Sequence, residues 1–239
     1  MVVNRFTKTP PLENGDRLTR IEFERRYAAM PNLKKAELIE GVVYVPAALR
    51  FRSHAEPHSR IMTWLGVYQA FTPGIKIGDN PTVRLDLDNA PQPDAALIID
   101  GGQARISTDD YIEGAPELVV EIAASSAAYD LYDKKRVYRR NGVREYLVWR
   151  VYDGEFDWFR LEEEEYIKLK ASDRGLIHSI SFPGLWLSIN SLLSGEMQQV
   201  LEVLQEGFKL PNIKNSFESF LINYLGYIFL YGRSLVTFF

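Results

Sequence analysis

One lysine constrains this chain more than any other residue. In Asp130-Leu131-Tyr132-Asp133-Lys134-Lys135-Arg136-Val137-Tyr138-Arg139-Arg140, a helix turning about 100° per residue gathers Leu131, Val137 and Tyr138 into one apolar stripe. Lys134 falls in the middle of that stripe, while Lys135, Arg136, Arg139 and Arg140 point elsewhere. An unpaired buried ammonium costs several kcal/mol even after relaxation, so the fold must bring an anion beneath this helix. The nearest upstream source is Glu121, which closes the apolar run Leu118-Val119-Val120-Glu121-Ile122. A second acid, Asp94, opens Pro93-Asp94-Ala95-Ala96-Leu97-Ile98-Ile99. Two acids on buried strands and a core-facing lysine point to metal-dependent phosphodiester chemistry.

Composition narrows the setting. With 239 residues, 46% of them hydrophobic, the chain can bury one substantial core, and one domain with appendages is expected. A net charge of −4 gives no global attraction to nucleic acid, so any such contact must come from a local patch. The absence of cysteine excludes disulfides, thiolate catalysis and cysteine-based zinc or iron–sulfur sites, and it suits a cytoplasmic protein. No apolar leader segment is visible in residues 1–13. The stretch Phe217–Tyr231 is apolar and aromatic, but its uninterrupted run is shorter than the roughly 20 residues a membrane span needs. No membrane association is expected.

Read in order, residues 1–18 form an irregular lead-in, 19–208 one folded domain, and 209–239 an atypical hydrophobic tail. Thr19-Arg20-Ile21-Glu22 is a capping box starting a helix to about Met30. Glu37–Gly41 leads into the strand Val42–Val45, and Pro57 suits the first turn of a helix running to about Phe71. Strands are expected at Thr82–Leu87, Asp94–Ile99 and Leu118–Ile122, with a short helix near Thr108–Tyr111. Asn141-Gly142 ends the basic helix, and Asp153-Gly154 joins the strands Tyr146–Trp149 and Phe156–Leu161 as a hairpin. Strands at Tyr166–Lys170 and His178–Phe182 and a helix over Leu192–Phe208 complete the chain. The pattern is α/β: a mixed central sheet flanked by helices, with acids at strand ends.

With Asp94, Glu121 and Lys134 in place, the chain resembles the Uma-two family, a restriction-endonuclease-like branch of the PD-(D/E)XK nuclease superfamily. The matching segments run in order: Glu37-Leu38-Ile39-Glu40-Gly41, His58 in Glu56-Pro57-His58-Ser59-Arg60-Ile61, Pro93-Asp94, and Pro116-Glu117-Leu118-Val119-Val120-Glu121. Asp130 with Lys134 and Tyr138, Gly142-Val143-Arg144-Glu145-Tyr146, and Phe182-Pro183-Gly184-Leu185-Trp186-Leu187 follow. The likeness covers roughly residues 18–208. In the wider superfamily the lysine stands two positions after the strand glutamate; here that position is Ala123, and the family carries its lysine on the following helix. Where the family has a Ser-Pro-Ser-like turn, this chain has Ala124-Ser125-Ser126.

The resemblance implies a restriction-endonuclease-like fold and a metal-dependent DNA endonuclease that leaves a 5′-phosphate. Asp94, Glu121 and Lys134 are then the catalytic residues, and Asp94 and Glu121 the ligands of a Mg²⁺ or Mn²⁺ ion. Glu37 and His58 are accessory candidates; Glu37 reads equally well as a solvated acid at an element's end, and His58 as a hydrogen-bonded helix-start residue. Restriction-type nucleases often dimerise so that each subunit cuts one strand, which makes a homodimer one expectation. The alternative is a catalytically inactive nucleic-acid-binding or protein-interaction module on the same fold.

Other charged and aromatic groups admit plainer readings. Lys135, Arg136, Arg139 and Arg140, with Arg144 nearby, could track a phosphate backbone or form a solvated face paired with Glu162–Glu165. His54 and His58 are four apart, a spacing that zinc can use, but Pro57 places the helix start between them and no third ligand is evident. Asp86 and Asp88 read as surface charge, His178 as structural, and Trp149, Phe156, Trp158 and Phe159 as core.

Overall fold

The computed structural model describes residues 9–46 and 48–209. The hydrophobic tail drawn from residue 209 therefore lies outside the described residues, apart from Lys209 itself. The chain divides into two units between residues 168 and 169.

In the first unit, helix α1 (Arg20–Ala28) precedes the hairpin β1 (Glu37–Ile39) and β2 (Val42–Tyr44). A π-helical turn, Phe51–Ala55, runs directly into α2 (Glu56–Phe71). Then come β3 (Ile75–Asp79), β4 (Val83–Arg84), β5 (Ala95–Ile99), β6 (Arg105–Ile106), β7 (Ile112–Glu113) and β8 (Leu118–Ala123). The helical crossover that follows has three parts: α3 (Ala127–Tyr129), a π turn (Asp130–Lys134) and α4 (Lys135–Arg140). Strands β9 (Glu145–Arg150), β10 (Glu155–Glu162) and β11 (Glu165–Lys168) complete this unit.

Six strands form the central sheet in the order β11-β10-β9-β8-β5-β3. Only the β8–β9 pairing is parallel within it, because only these two strands are joined by a helical crossover. The sheet is mixed and helices flank it. On one face, Tyr138 from α4 joins Val119, Ala123, Tyr146, Val148 and Phe159 in a buried cluster, with Leu131 against it. On the other, Trp64 of α2 meets Trp158 of β10 edge-on at 5.8 Å between ring centroids. Strands β5 and β8 are buried along their whole length, as central strands covered on both faces must be.

Several local expectations change. The helix starting at Thr19 is capped by the Thr19 hydroxyl accepting from the Glu22 amide at 3.5 Å, but Glu22 turns to Arg25 and Arg26 rather than back to the cap. The expected short helix near Thr108–Tyr111 is the turn, residues 107–111, of a hairpin between the two-residue strands β6 and β7. The strand expected over Thr82–Leu87 is only β4, because Asp86 and Asn89 close a turn around the Asp88 amide and the Asn89 side chain. The lead-in is held down, with Leu12 buried and Val43 donating to the Asp16 carbonyl at 2.8 Å.

In the second unit, β12 (Leu176–His178) pairs with β13 (Trp186–Ser188), where a single strand over His178–Phe182 was expected. The helix drawn over Leu192–Phe208 is two helices, α5 (Ile189–Ser194) and α6 (Met197–Phe208). Gly195, at φ 84°, takes the left-handed conformation that ends α5. His178 stacks on Trp186 at 4.1 Å between ring centroids. No helix among the described residues is long and apolar enough to cross a membrane.

Candidate active site

The antiparallel register of β5 and β8 builds the site. Ala95 pairs with Val120, so one step further along Asp94 comes opposite Glu121. Residues directly opposite on neighbouring strands project to the same face, and both carboxylates line a cavity of about 420 Å³. Asp94 is fixed at its strand entrance: its Oδ2 accepts from the Ile122 amide at 2.7 Å. Its Oδ1 accepts from Lys35 Nζ at 3.2 Å and lies 3.4 Å from His54 Nε2.

Lys134 projects from the π turn toward Glu121. Its ammonium lies 2.9 Å from Glu121 Oε1, 2.8 Å from Glu37 Oε1 and 3.7 Å from Asp130 Oδ1, and the residue is only 3% exposed. One turn later, the Tyr138 hydroxyl donates to the same Glu121 oxygen at 2.8 Å. The spacing of four puts both groups on one helical face. Lys135, half-buried, instead places its ammonium 3.6 Å from the centre of the Phe159 ring.

Glu37 is buried in β1 and also accepts from the Gln92 amide at 2.7 Å. It is therefore part of the cluster rather than a solvated acid. His58 combines both of its expected settings: its Nε2 lies 2.9 Å from the Asp94 carbonyl oxygen and 3.2 Å from Asp79 Oδ1. Three residues escaped the sequence reading of the site: Lys35, His54 and Asp130. Helical structure begins at Phe51 rather than Pro57, which carries His54 into the cavity wall. Asp130 stands four residues before Lys134, the signal that could have found it.

The electrostatics follow from burial. Glu121 is pushed up to about 8 by loss of water, an effect Lys134 partly offsets and Asp130, Asp94 and Glu37 reinforce. Burial likewise raises Asp130, against the pull of Lys134. Burial opposes the charge on Lys134, but Glu121, Glu37 and Asp130 outweigh it and hold the ammonium well above its usual range. Four acids (Glu37, Asp94, Glu121 and Asp130) thus face two lysines (Lys35 and Lys134) around one cavity. Fully ionised, the cluster lacks two positive charges.

That deficit fits a divalent cation. Among the described residues no three histidine or acidic side chains form a ready-made cage. Two carboxylates on adjacent strands match Mg²⁺, which keeps several waters and takes few protein ligands. Both carboxylates offer oxygen donors, which suit a hard cation.

The basic face of α4 is largely engaged within the protein. Arg136 pairs with Asp133 at 3.2 Å, Arg139 with Glu165 at 2.6 Å, and Arg140 with Glu40 at 2.9 Å and Asp86 at 3.4 Å. Glu117 is a second acid the sequence placed without a role. Fully buried, it accepts from the Ile99 and Gln103 amides at 3.0 and 2.9 Å and clamps the turn after β5.

Comparison with known proteins agrees with this architecture. A crystal structure titled as a "putative nuclease" from Anabaena variabilis superposes with a TM-score of 0.53 at 17% identity, covering 66% of this chain and 89% of that one. No curated protein matches the chain. A family model described as "Putative restriction endonuclease" matches residues 21–190. Over that span, which holds every residue of the cavity's charged floor, the chain belongs to the Uma-two family of restriction-endonuclease-like proteins.

Proposed function

We propose that the protein is a metal-dependent endonuclease that hydrolyses DNA phosphodiester bonds. The observation that carries this reading is the register that sets Asp94 opposite Glu121 on the cavity floor, with Lys134 against Glu121. Asp94 and Glu121 would hold Mg²⁺ or Mn²⁺, which when bound supplies an acidified water and counter-charge for the phosphate oxygens.

The chain's own groups do the rest. Lys134, fixed by three carboxylates, presents an ammonium to the attacking water or to the negative charge that develops on phosphorus-bound oxygen. Its geometry is set before substrate arrives, so little reorganisation is needed at the moment of reaction. Tyr138 holds Glu121 from the helix side, leaving Asp94 and Glu121 oriented into the cavity. Lys35 steadies the outer oxygen of Asp94, with the His54 ring beside it.

The test is nicking of supercoiled plasmid in Mg²⁺ and in Mn²⁺, alongside DNA binding in Ca²⁺. Wild type is expected to nick. Asp94→Asn and Lys134→Ala should each lose on the order of 10² or more in rate, the scale of removing one fixed charge-stabilising group, while DNA binding changes little. Wild-type binding without nicking in either metal would move the assignment to an inactive nucleic-acid-binding module. Loss of both activities would leave a protein-interaction module.

A further inference from the structure

The floor of the cavity is acidic, so a phosphate needs cations elsewhere to approach it. The obvious supply, the basic face of α4, is already committed to Asp133, Glu165, Glu40 and Asp86. The opposite situation holds where the chain enters the π turn before α2. Arg50 is exposed and lines the same cavity as Asp94 and Glu121. Arg52, two residues on, is also exposed. Among the described residues neither guanidinium makes an ion pair or hydrogen bond.

Their surroundings are those of a strand-binding wall. Leu49 and Tyr152 also line the cavity, yet are 59% and 63% exposed. An exposed tyrosine ring and an exposed leucine, beside arginines that no described residue engages, offer a nucleic-acid strand an aromatic face, apolar contact and charge. Tyr152 sits in the tight loop between β9 and β10, while Arg50 caps the helical turn that carries His54 and Arg52 stands within it. Both are thus mounted on short, anchored connections rather than on a free tail.

We infer that Arg50 and Arg52, with Tyr152 at the cavity wall, form the surface that grips the phosphate backbone of the nucleic acid and leads it to Asp94 and Glu121, in place of the basic face of α4. The inference rests on the nuclease reading above and names the substrate-contacting surface for that site. Each arginine adds about one released counterion to binding, and Tyr152 adds contact that does not depend on salt.

The experiment measures binding of a short DNA duplex in Ca²⁺ across a range of salt concentrations, using the full chain. The pair Arg50→Ala/Arg52→Ala should make the plot of log affinity against log salt shallower by about 2. Arg139→Ala/Arg140→Ala should leave that slope as in wild type. Tyr152→Ala should weaken binding with the slope unchanged. Because Arg50 and Arg52 are exposed and, among the described residues, without partners, an unchanged melting temperature confirms that the variant is folded. If wild type binds and the α4 pair, not the Arg50/Arg52 pair, flattens the slope, this surface is wrong while the nuclease reading stands. If wild type binds no DNA at any salt, both fall together.

Discussion

At the residue scale, the decisive interaction is between Lys134 and Glu121. Both are almost completely buried, so each depends on the other for its charge. Removing one partner of a buried pair costs about 3–5 kcal/mol because the remaining charge is left without compensation. Lys134→Ala should therefore lower stability by that order where Glu121 is ionised, measured by urea unfolding in EDTA above pH 8. Adding Glu121→Gln to that variant should recover part of the loss, because a neutral amide needs no ammonium. Strict additivity of the two changes would show that the residues are not coupled in the folded protein. Asp94 behaves differently, since its anchor is the Ile122 amide and Lys35 is less deeply buried than Lys134.

At the element scale, the turn after β5 is as tightly specified as the site. Glu117 reaches across from the segment before β8 to bind the Ile99 and Gln103 amides. A methyl group on Gly102 would run into the Glu117 carboxylate, and would lie 2.8 Å from the Ile99 carbonyl oxygen. Gly102→Ala should cost about 1–3 kcal/mol, the range for forcing extra atoms into a packed site. Gly101 has φ 75° but open space around it, so Gly101→Ala should cost only the left-handed strain of about 1–2 kcal/mol. Denaturant midpoints of the two variants check this, and loss of the clamp through Glu117→Ala should exceed the Gly101 effect. The site depends on this turn because β5 carries Asp94 at its entrance.

The same scale explains which elements could be read from the chain. Helix α1, the end of α4 at Asn141-Gly142 and the β9–β10 hairpin rest on local signals, a cap, a left-handed glycine and a turn pair. The early helical turn at Phe51–Ala55 had no such signal, since Pro57 looks like a first-turn residue whether or not another turn precedes it. The hairpin between β6 and β7 was missed for the opposite reason: strands of two residues carry no periodicity.

At the scale of the whole molecule, the cluster links stability to pH and to metal. The Glu121 carboxyl rises from its ordinary 4.5 to about 8, chiefly through burial. Between those values the folded protein binds more protons than the unfolded chain, so without metal stability should fall as pH rises through the window. Asp130, also raised, acts in the same direction. A bound divalent ion supplies the charge that the proton otherwise gives, so Mg²⁺ should raise the melting temperature more at pH 8 than at pH 5. Asp94→Asn should remove most of that increase. Melting curves in EDTA and in Mg²⁺ across this range decide the matter. A wild-type curve that ignores divalent ions at pH 8 would remove the support for a metal at this cluster.

What the sequence determined by itself was local or compositional. Periodicity placed Lys134 inward, and the cost of burying an unpaired ammonium required an acid beneath it. Apolar runs ending in Glu121 and beginning at Asp94 marked two central strands. The tertiary structure alone decided which groups share the cavity. Register is a property of two strands together, so only pairing could set Asp94 opposite Glu121. Lys35 and Glu37, at the start of the first hairpin, and His54, from a helical turn, reach a cluster whose other charged members lie far along the chain, separations across which no local periodicity speaks. The fate of the basic helix was likewise tertiary. Its arginines look alike in sequence, and only the nearness of Glu165, Glu40 and Asp86 commits two of them to the protein itself, because an exposed charge takes its role from what the fold sets beside it.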